Sequence, residues 1–256
     1  MADEGNLTPD EIRLYLEGHS ELVLELRAKA ILESHQFNCI YGGLYSDPQS
    51  NKTRQFDIRA FFAPNNTKGI YVAAECKAIK CPIVISCLKR SKAEAHHSII
   101  HYGEEKTCHS FYLQNEPVGK CLDQLVRKRE EAKGRRPEEK SIVTINDHEV
   151  FDKWSQALQS CHELAILALD KCKTNVGYAA SIIPILVVPP GMLWVAEFNA
   201  SGILSADPYQ MDRCTYYVGK TFSDIRYEIS HLEIVTPEGL RQLAVLLHAK
   251  MGDLFA

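Results

Sequence analysis

The sequence predicts an α/β fold in which a central mixed β-sheet is flanked by helices. Two observations predict it. Helical apolar spacing appears at the start, in the middle and at the end of the chain, and the segments between are short, rich in aromatic and branched residues, and separated by turn-formers. The 256 residues, 45% apolar and 24% charged, suffice for one sizeable core. A net charge of -4 excludes a generally basic, histone-like binder, so any nucleic-acid contact has to be a local patch.

Thr8-Pro9-Asp10-Glu11 has the form of a helix start, threonine as N-cap and proline first inside, and Gly18 is the expected stop. Ser20 is placed to cap a second helix, in which Leu22, Val23, Leu26, Ala30 and Ile31 recur at helical spacing through about His35. Three strands follow in a meander: 37 to 45, 54 to 62 and 69 to 79, broken at Asp47-Pro48 and Pro64-Asn65-Asn66. A fourth strand is expected over 83 to 87, then a helix capped by Ser91 and running to about Ile100.

Residues 119 to 140 carry eight Lys or Arg against five Asp or Glu and read as a solvated basic helix and loop. A long amphipathic helix is expected from about Asp147 to Lys173, with Val150, Trp154, Ala157, Leu158, Cys161, Leu164, Ala165 and Ala168 on its buried face. Residues 182 to 188 and 192 to 198 straddle Pro189-Pro190-Gly191 and have the look of a hairpin. Strands around Tyr216 to Val218 and Leu232 to Val235, and a closing helix from Pro237 to about Met251, complete the chain. No internal repeat or long linker breaks it. One domain over 1–256 is expected, with a core of about 20–100 plus 146–198, a basic helical insertion of about 103–145 and a C-terminal extension of 199–256.

Nine cysteines without a CxxC pair signal neither a disulfide framework nor a zinc ribbon, which points to a reducing, cytoplasmic location. The acidic start lacks the basic-then-apolar order of a signal peptide, and the apolar stretch at 182 to 188 is too short for a membrane span. His96, His97, His101, Cys108 and His109 match no zinc spacing and read as a histidine cluster without metal.

Chemistry concentrates on the second and third strands of the meander. Strand alternation puts Gln55, Asp57, Arg59 and Phe61 on one face, and Tyr71, Ala73, Glu75 and Lys77 on one face of the neighbour. Charges set among Phe56, Ile58, Val72 and Ala74 need partners. Either Asp57 and Lys77 form a partly buried salt bridge, or Asp57 and Glu75 together ligate one hard divalent cation.

Asp57, followed eighteen residues later by Glu75-Cys76-Lys77, resembles the aspartate and ExK elements of the PD-(D/E)xK, restriction-endonuclease-like nuclease superfamily. The order helix, strand, Asp-strand, ExK-strand, helix is similar to that family's αβββαβ core. The family's proline before the aspartate is replaced here by Phe56. The family's helix glutamate is matched by Glu25, twelve residues before Phe37, with Glu21 as the alternative one turn earlier. The resemblance implies a metal-dependent phosphodiesterase, a DNA endonuclease of the restriction or defence kind, acting on nucleic acid and forming a homodimer where both strands are cut together. It implies Mg²⁺ or Mn²⁺ held by Asp57, Glu75 and the Cys76 carbonyl. Lys77 then positions or deprotonates the attacking water or stabilises developing charge, and Glu25 orients that water. Arg59 is either a phosphate contact or an ion-pair partner, and Lys89, Arg90 and Lys92 are candidate substrate contacts. The alternative is a non-catalytic nucleic-acid- or protein-binding module on the same fold.

Overall fold

The computed structural model of the chain describes residues 7–88, 96–101, 108–112, 118–130, 140–145, 148–175, 177–222 and 227–250. Helix α1 (Pro9–His19) starts as the sequence predicts. The Thr8 hydroxyl accepts from the Glu11 N–H, and the Glu11 carboxylate accepts from the Thr8 N–H at 2.7 Å, a reciprocal cap. Helix α2 (Glu21–Ser34) follows after Ser20, which makes no side-chain cap bond. The helix is held instead by burial of Leu24, Ala28, Ile31 and Leu32 against the sheet.

Strands β1 (Asn38–Ser46), β2 (Thr53–Asn65) and β3 (Lys68–Cys76) form the expected antiparallel meander. Helix α3 (His148–Thr174) leads into β9 (Ala179–Val187), which lies parallel to β3 over its whole length. Every residue of β9 is buried, as expected of a strand covered on both faces and flanked by parallel neighbours. Its other edge is shared by β13 (Tyr227–Val235), parallel at 185–187, and β5 (His96–His101), antiparallel at 179–181. The sheet continues through β12 (Arg213–Phe222), β7 (Val118–Glu130), β4 (Ile83–Leu88), β10 (Leu193–Phe198) and β11 (Tyr209–Gln210). Two ribbons branch from this path: β6 (Cys108–Tyr112) pairs β5, and β8 (Lys140–Ile145) pairs β7.

Three layers result. One face of β2, β3 and β9 buries Ile58, Ala60, Ile70, Val72, Ala74, Cys76, Ile183 and Ile185 against α2 and the closing helix α4 (Pro237–Lys250). The other face buries Tyr71, Ala73, Ala180 and Ile182 against Leu158, Cys161, Leu164, Ala165 and Ala168 of α3. The residues that face α3 are those on which the sequence placed Asp57, Arg59 and Glu75.

Three expectations are corrected. The helix expected from Ser91 to Ile100 is a strand at its end, because the upper edge of β9 is open there and Ser98-Ile99-Ile100 supplies branched residues to pair with it. Residues 91–95 lie outside the described ones. The basic helical insertion is likewise β-structure where described. Gly119 to Gln124 pairs with β4, Val118 and Gly119 with β12, and Leu125 to Glu130 with β8, so strand partners override the helix propensity of its Leu, Gln, Lys and Arg. The hairpin expected around Pro189-Pro190-Gly191 does not form. Both edges of β9 are taken by other strands, and β10 crosses to run parallel with β4.

Candidate active site

The antiparallel register sets Ile58 opposite Ala74, and the β2–β3 ladder ends there. One step further along, Asp57 and Glu75 stand opposite each other on the α3 side. β2 then stays with β1 and β3 with β9. In the opening, the Cys76 N–H donates to Asp57 Oδ2 at 2.8 Å. The ladder bond is thus replaced by a carboxylate, which fixes Asp57.

Glu75 is 1% exposed. Its Oε2 has no hydrogen-bond partner, and the nearest cation, Lys153 Nζ of α3, is 3.7 Å away. The same ammonium lies 3.2 Å from Asp57 Oδ2 and 3.4 Å from Oδ1. Burial, then the charge of Asp57, pushes the Glu75 carboxyl up to about 9, with Lys153 pulling against them. Burial acts to lower the Lys153 ammonium, but Asp57 and Glu75 outweigh it and hold the group above its ordinary value. Burial and the neighbouring Asp57 together disfavour charge on Glu75, and Lys153 offsets them only in part.

The helix glutamates divide the remaining contacts. Tyr41 of β1 donates to Glu25 Oε2 at 2.8 Å. Burial raises the Glu25 carboxyl, the Tyr41 bond opposes that, and Asp57 adds to the rise, so Glu25 lies within electrostatic reach of the pair. Glu21 takes Lys77 in a 2.8 Å ion pair. Lys77 is thereby paired with a glutamate of α2 and not with Asp57. β3 ends at Cys76, the Lys77 N–H bonds Val187 O, and the Ile79 N–H bonds Lys77 O in a three-residue turn. Past the strand end the alternation no longer applies, and Lys77 turns toward α2.

Arg59 takes the ion-pair alternative. Its guanidinium donates to Ser160 Oγ at 3.0 Å and Glu163 Oε2 at 2.8 Å on α3, and stacks 4.3 Å over the Phe56 ring. That ring has room because Gly43 opposite it has no side chain. The Cys76 thiol is buried in the core under α2 and α4, where burial raises it well above its ordinary value, so it is not a nucleophile. What Cys76 offers Asp57 is its N–H. Lys89, Arg90 and Lys92 lie outside the described residues, as do the side chains of the histidine cluster in β5 and β6.

Lys153 is the residue that the sequence reading missed. It falls on the apolar stripe of α3, three residues after Val150 and four before Ala157, both fully buried. A lysine in that register needs a buried anion, and this is the signal that points to it. Ser160, seven residues or about two turns further along, serves Arg59 from the same side.

No family model, curated protein or solved structure matches the chain.

The site is therefore read from its own chemistry. Two hard carboxylates, one with a buried oxygen lacking any hydrogen bond, fit a small divalent cation, which is typically held through one or two carboxylates and water. Among the described residues no cluster of three or more His, Cys, Asp or Glu side chains is assembled for a metal. A cation here would thus complete its shell with water or substrate oxygens. Among the described residues, no helix is long and apolar enough to cross a membrane.

Proposed function

We propose that the chain is a divalent-metal-dependent phosphodiesterase whose centre is Asp57 and Glu75, acting on nucleic acid and most simply as a DNA endonuclease. The observation that carries this reading is the partnerless Glu75 Oε2, buried opposite Asp57 where the β2–β3 ladder opens. A purely structural carboxylate at 1% exposure would have both oxygens satisfied. The elements α2, β1, β2, β3, α3 and β9 support it as well: with the strands β4 to β8 between β3 and α3 set aside, they follow the αβββαβ order of the restriction-endonuclease-like core.

Phosphodiester hydrolysis needs an activated water, neutralised phosphoryl charge and help for the leaving oxygen. Bound Mg²⁺ or Mn²⁺ would supply charge neutralisation and a more acidic water. Asp57, anchored by the Cys76 N–H, and Glu75 hold the cation. Glu25, held by Tyr41, orients water on the α2 side. Lys77, positioned by Glu21, approaches from the same side as a cation for phosphate or for the leaving oxygen. The exposed Lys120 of β7, next to the point where β7 joins β12, stands four strands from β3 along the sheet, roughly 19 Å at ordinary strand spacing, within reach of an extended polyanion.

One observation favours a second reading, a non-catalytic module on the same fold: Lys153 already provides a protein cation for the carboxylates. The decisive test is cleavage of single- and double-stranded DNA and RNA with Mg²⁺, Mn²⁺ or chelator. The expected result is metal-dependent cleavage of at least one substrate, abolished in Asp57→Ala and Glu75→Ala. Absence of cleavage across the panel, with folded protein, leaves the binding module as the function.

A further inference from the structure

Lys153 reaches the carboxylates from a helix that is not part of the β2–β3 meander, and its position is specific. The ammonium stands 3.2 Å from Asp57 Oδ2 and 3.7 Å from Glu75 Oε2, bridging the two carboxylates from the α3 side. A small divalent cation requires carboxylate oxygens at about 2.0–2.1 Å, so an ammonium lodged between the same two carboxylates competes with it for that space. Two cations within about 4 Å at a site with little water also repel strongly.

The lysine has somewhere else to go. Its side chain is 19% exposed, against 10% for Asp57 and 1% for Glu75, so the flexible stem has an outward path that the carboxylates lack. Glu21 contributes favourably to the Lys153 ammonium, and Lys153 in turn to the Glu25 carboxylate, so both helix glutamates lie within reach of its charge. The bond to Glu75 is also incomplete: at 3.7 Å the ammonium is an ion-pair neighbour of Oε2 but not its hydrogen-bond donor.

We propose that Lys153 is a built-in counter-ion that competes with the divalent cation for Asp57 and Glu75, so that loading requires its ammonium to leave the pair. This rests on the reading of Asp57 and Glu75 as a cation site. In the unloaded protein Lys153 keeps two facing carboxylates from repelling each other. In the loaded protein it is displaced toward the helix glutamates. Lys153 thereby sets how much free metal the protein needs, a role separate from the chemistry assigned to Lys77.

The test is calorimetric titration of the full chain with Mn²⁺ alone, comparing wild type, Lys153→Met, Lys153→Arg and the double variant Lys153→Met/Asp57→Asn, each checked for folding by its thermal transition. Lys153→Gln replaces the methionine variant if the latter fails to fold. The expected result is a single Mn²⁺ site tightened about tenfold or more in Lys153→Met, near wild-type affinity in Lys153→Arg, and loss of the gain in the double variant. Equal or weaker Mn²⁺ binding by folded Lys153→Met overturns the proposal. The outcome separates from that of the phosphodiesterase reading. Tighter Mn²⁺ binding without cleavage of any substrate keeps the counter-ion and removes the enzyme. Metal-dependent cleavage with unchanged affinity in Lys153→Met does the reverse, and no Mn²⁺ binding in any form ends both.

Discussion

Glu75 and Glu233 are buried glutamates, 1% and 0% exposed, on the two strands that run parallel to β9, at neighbouring registers: Glu75 beside Leu186 and Glu233 beside Ile185. Their surroundings differ. Glu233 Oε2 accepts from Arg213 Nε at 2.8 Å and Oε1 from the Thr215 hydroxyl at 3.1 Å, both on the adjacent strand β12. Both of its oxygens are satisfied, and its charge is met by a guanidinium. Glu75 instead faces a second carboxylate, shares one lysine with it, and keeps an oxygen without a donor. Burial of a carboxylate is therefore not what marks a site. What marks Glu75 is a buried oxygen that no donor meets, set beside a second carboxylate.

The largest effect expected from this contrast is on stability. Replacing Glu233 with Gln removes the charge facing Arg213 and should cost about 3–5 kcal/mol, the scale for breaking a buried ion pair. Glu75→Gln in chelator should cost far less or stabilise, because it relieves the repulsion with Asp57. Denaturant melts of the two variants check this, and equal losses would erase the distinction between a structural and a strained glutamate.

The two cations near Glu75 sharpen the contrast further. Lys77 is tied to Glu21 and not to the pair, so Lys77→Ala should leave Mn²⁺ affinity largely intact while lowering single-turnover cleavage by about two orders of magnitude. Normal cleavage by the folded variant would reduce the Lys77–Glu21 contact to a structural ion pair.

A third comparison is the pH dependence of stability. Because the Glu75 carboxyl is raised from its ordinary 4.5 to about 9 in the folded protein, the folded state keeps a proton that the unfolded chain releases. Its contribution is fully present below pH 4.5 and is lost as pH rises toward 9. In chelator, the melting temperature of wild type should fall over that window relative to Glu75→Gln, whose amide does not titrate. Parallel curves for the two proteins would show that Glu75 is ionised throughout.

Much of the fold was legible because its signals are local. The Thr8 cap, the apolar stripe of α3 and the turn-bounded alternation of β1 to β3 are each set by neighbours within a few residues. The apposition of Asp57 and Glu75 was legible for the same reason, since a short antiparallel hairpin fixes its own register. The strands β5 and β7 were not. Their residues are compatible with helix, and what makes them strands is an open edge on β9 and on β4, supplied from far along the chain.

The sequence by itself determined which carboxylates face each other, because strand period and turn placement leave little freedom between positions 53 and 76. Only the tertiary structure decided which lysine meets them. Lys77 is two residues from Glu75, yet past the strand end at Cys76 it pairs with Glu21 of α2. Lys153 is separated from Glu75 by most of the chain's middle, yet it arrives because α3 must bury its apolar face on β3 and β9, and that packing carries its lysine onto the pair.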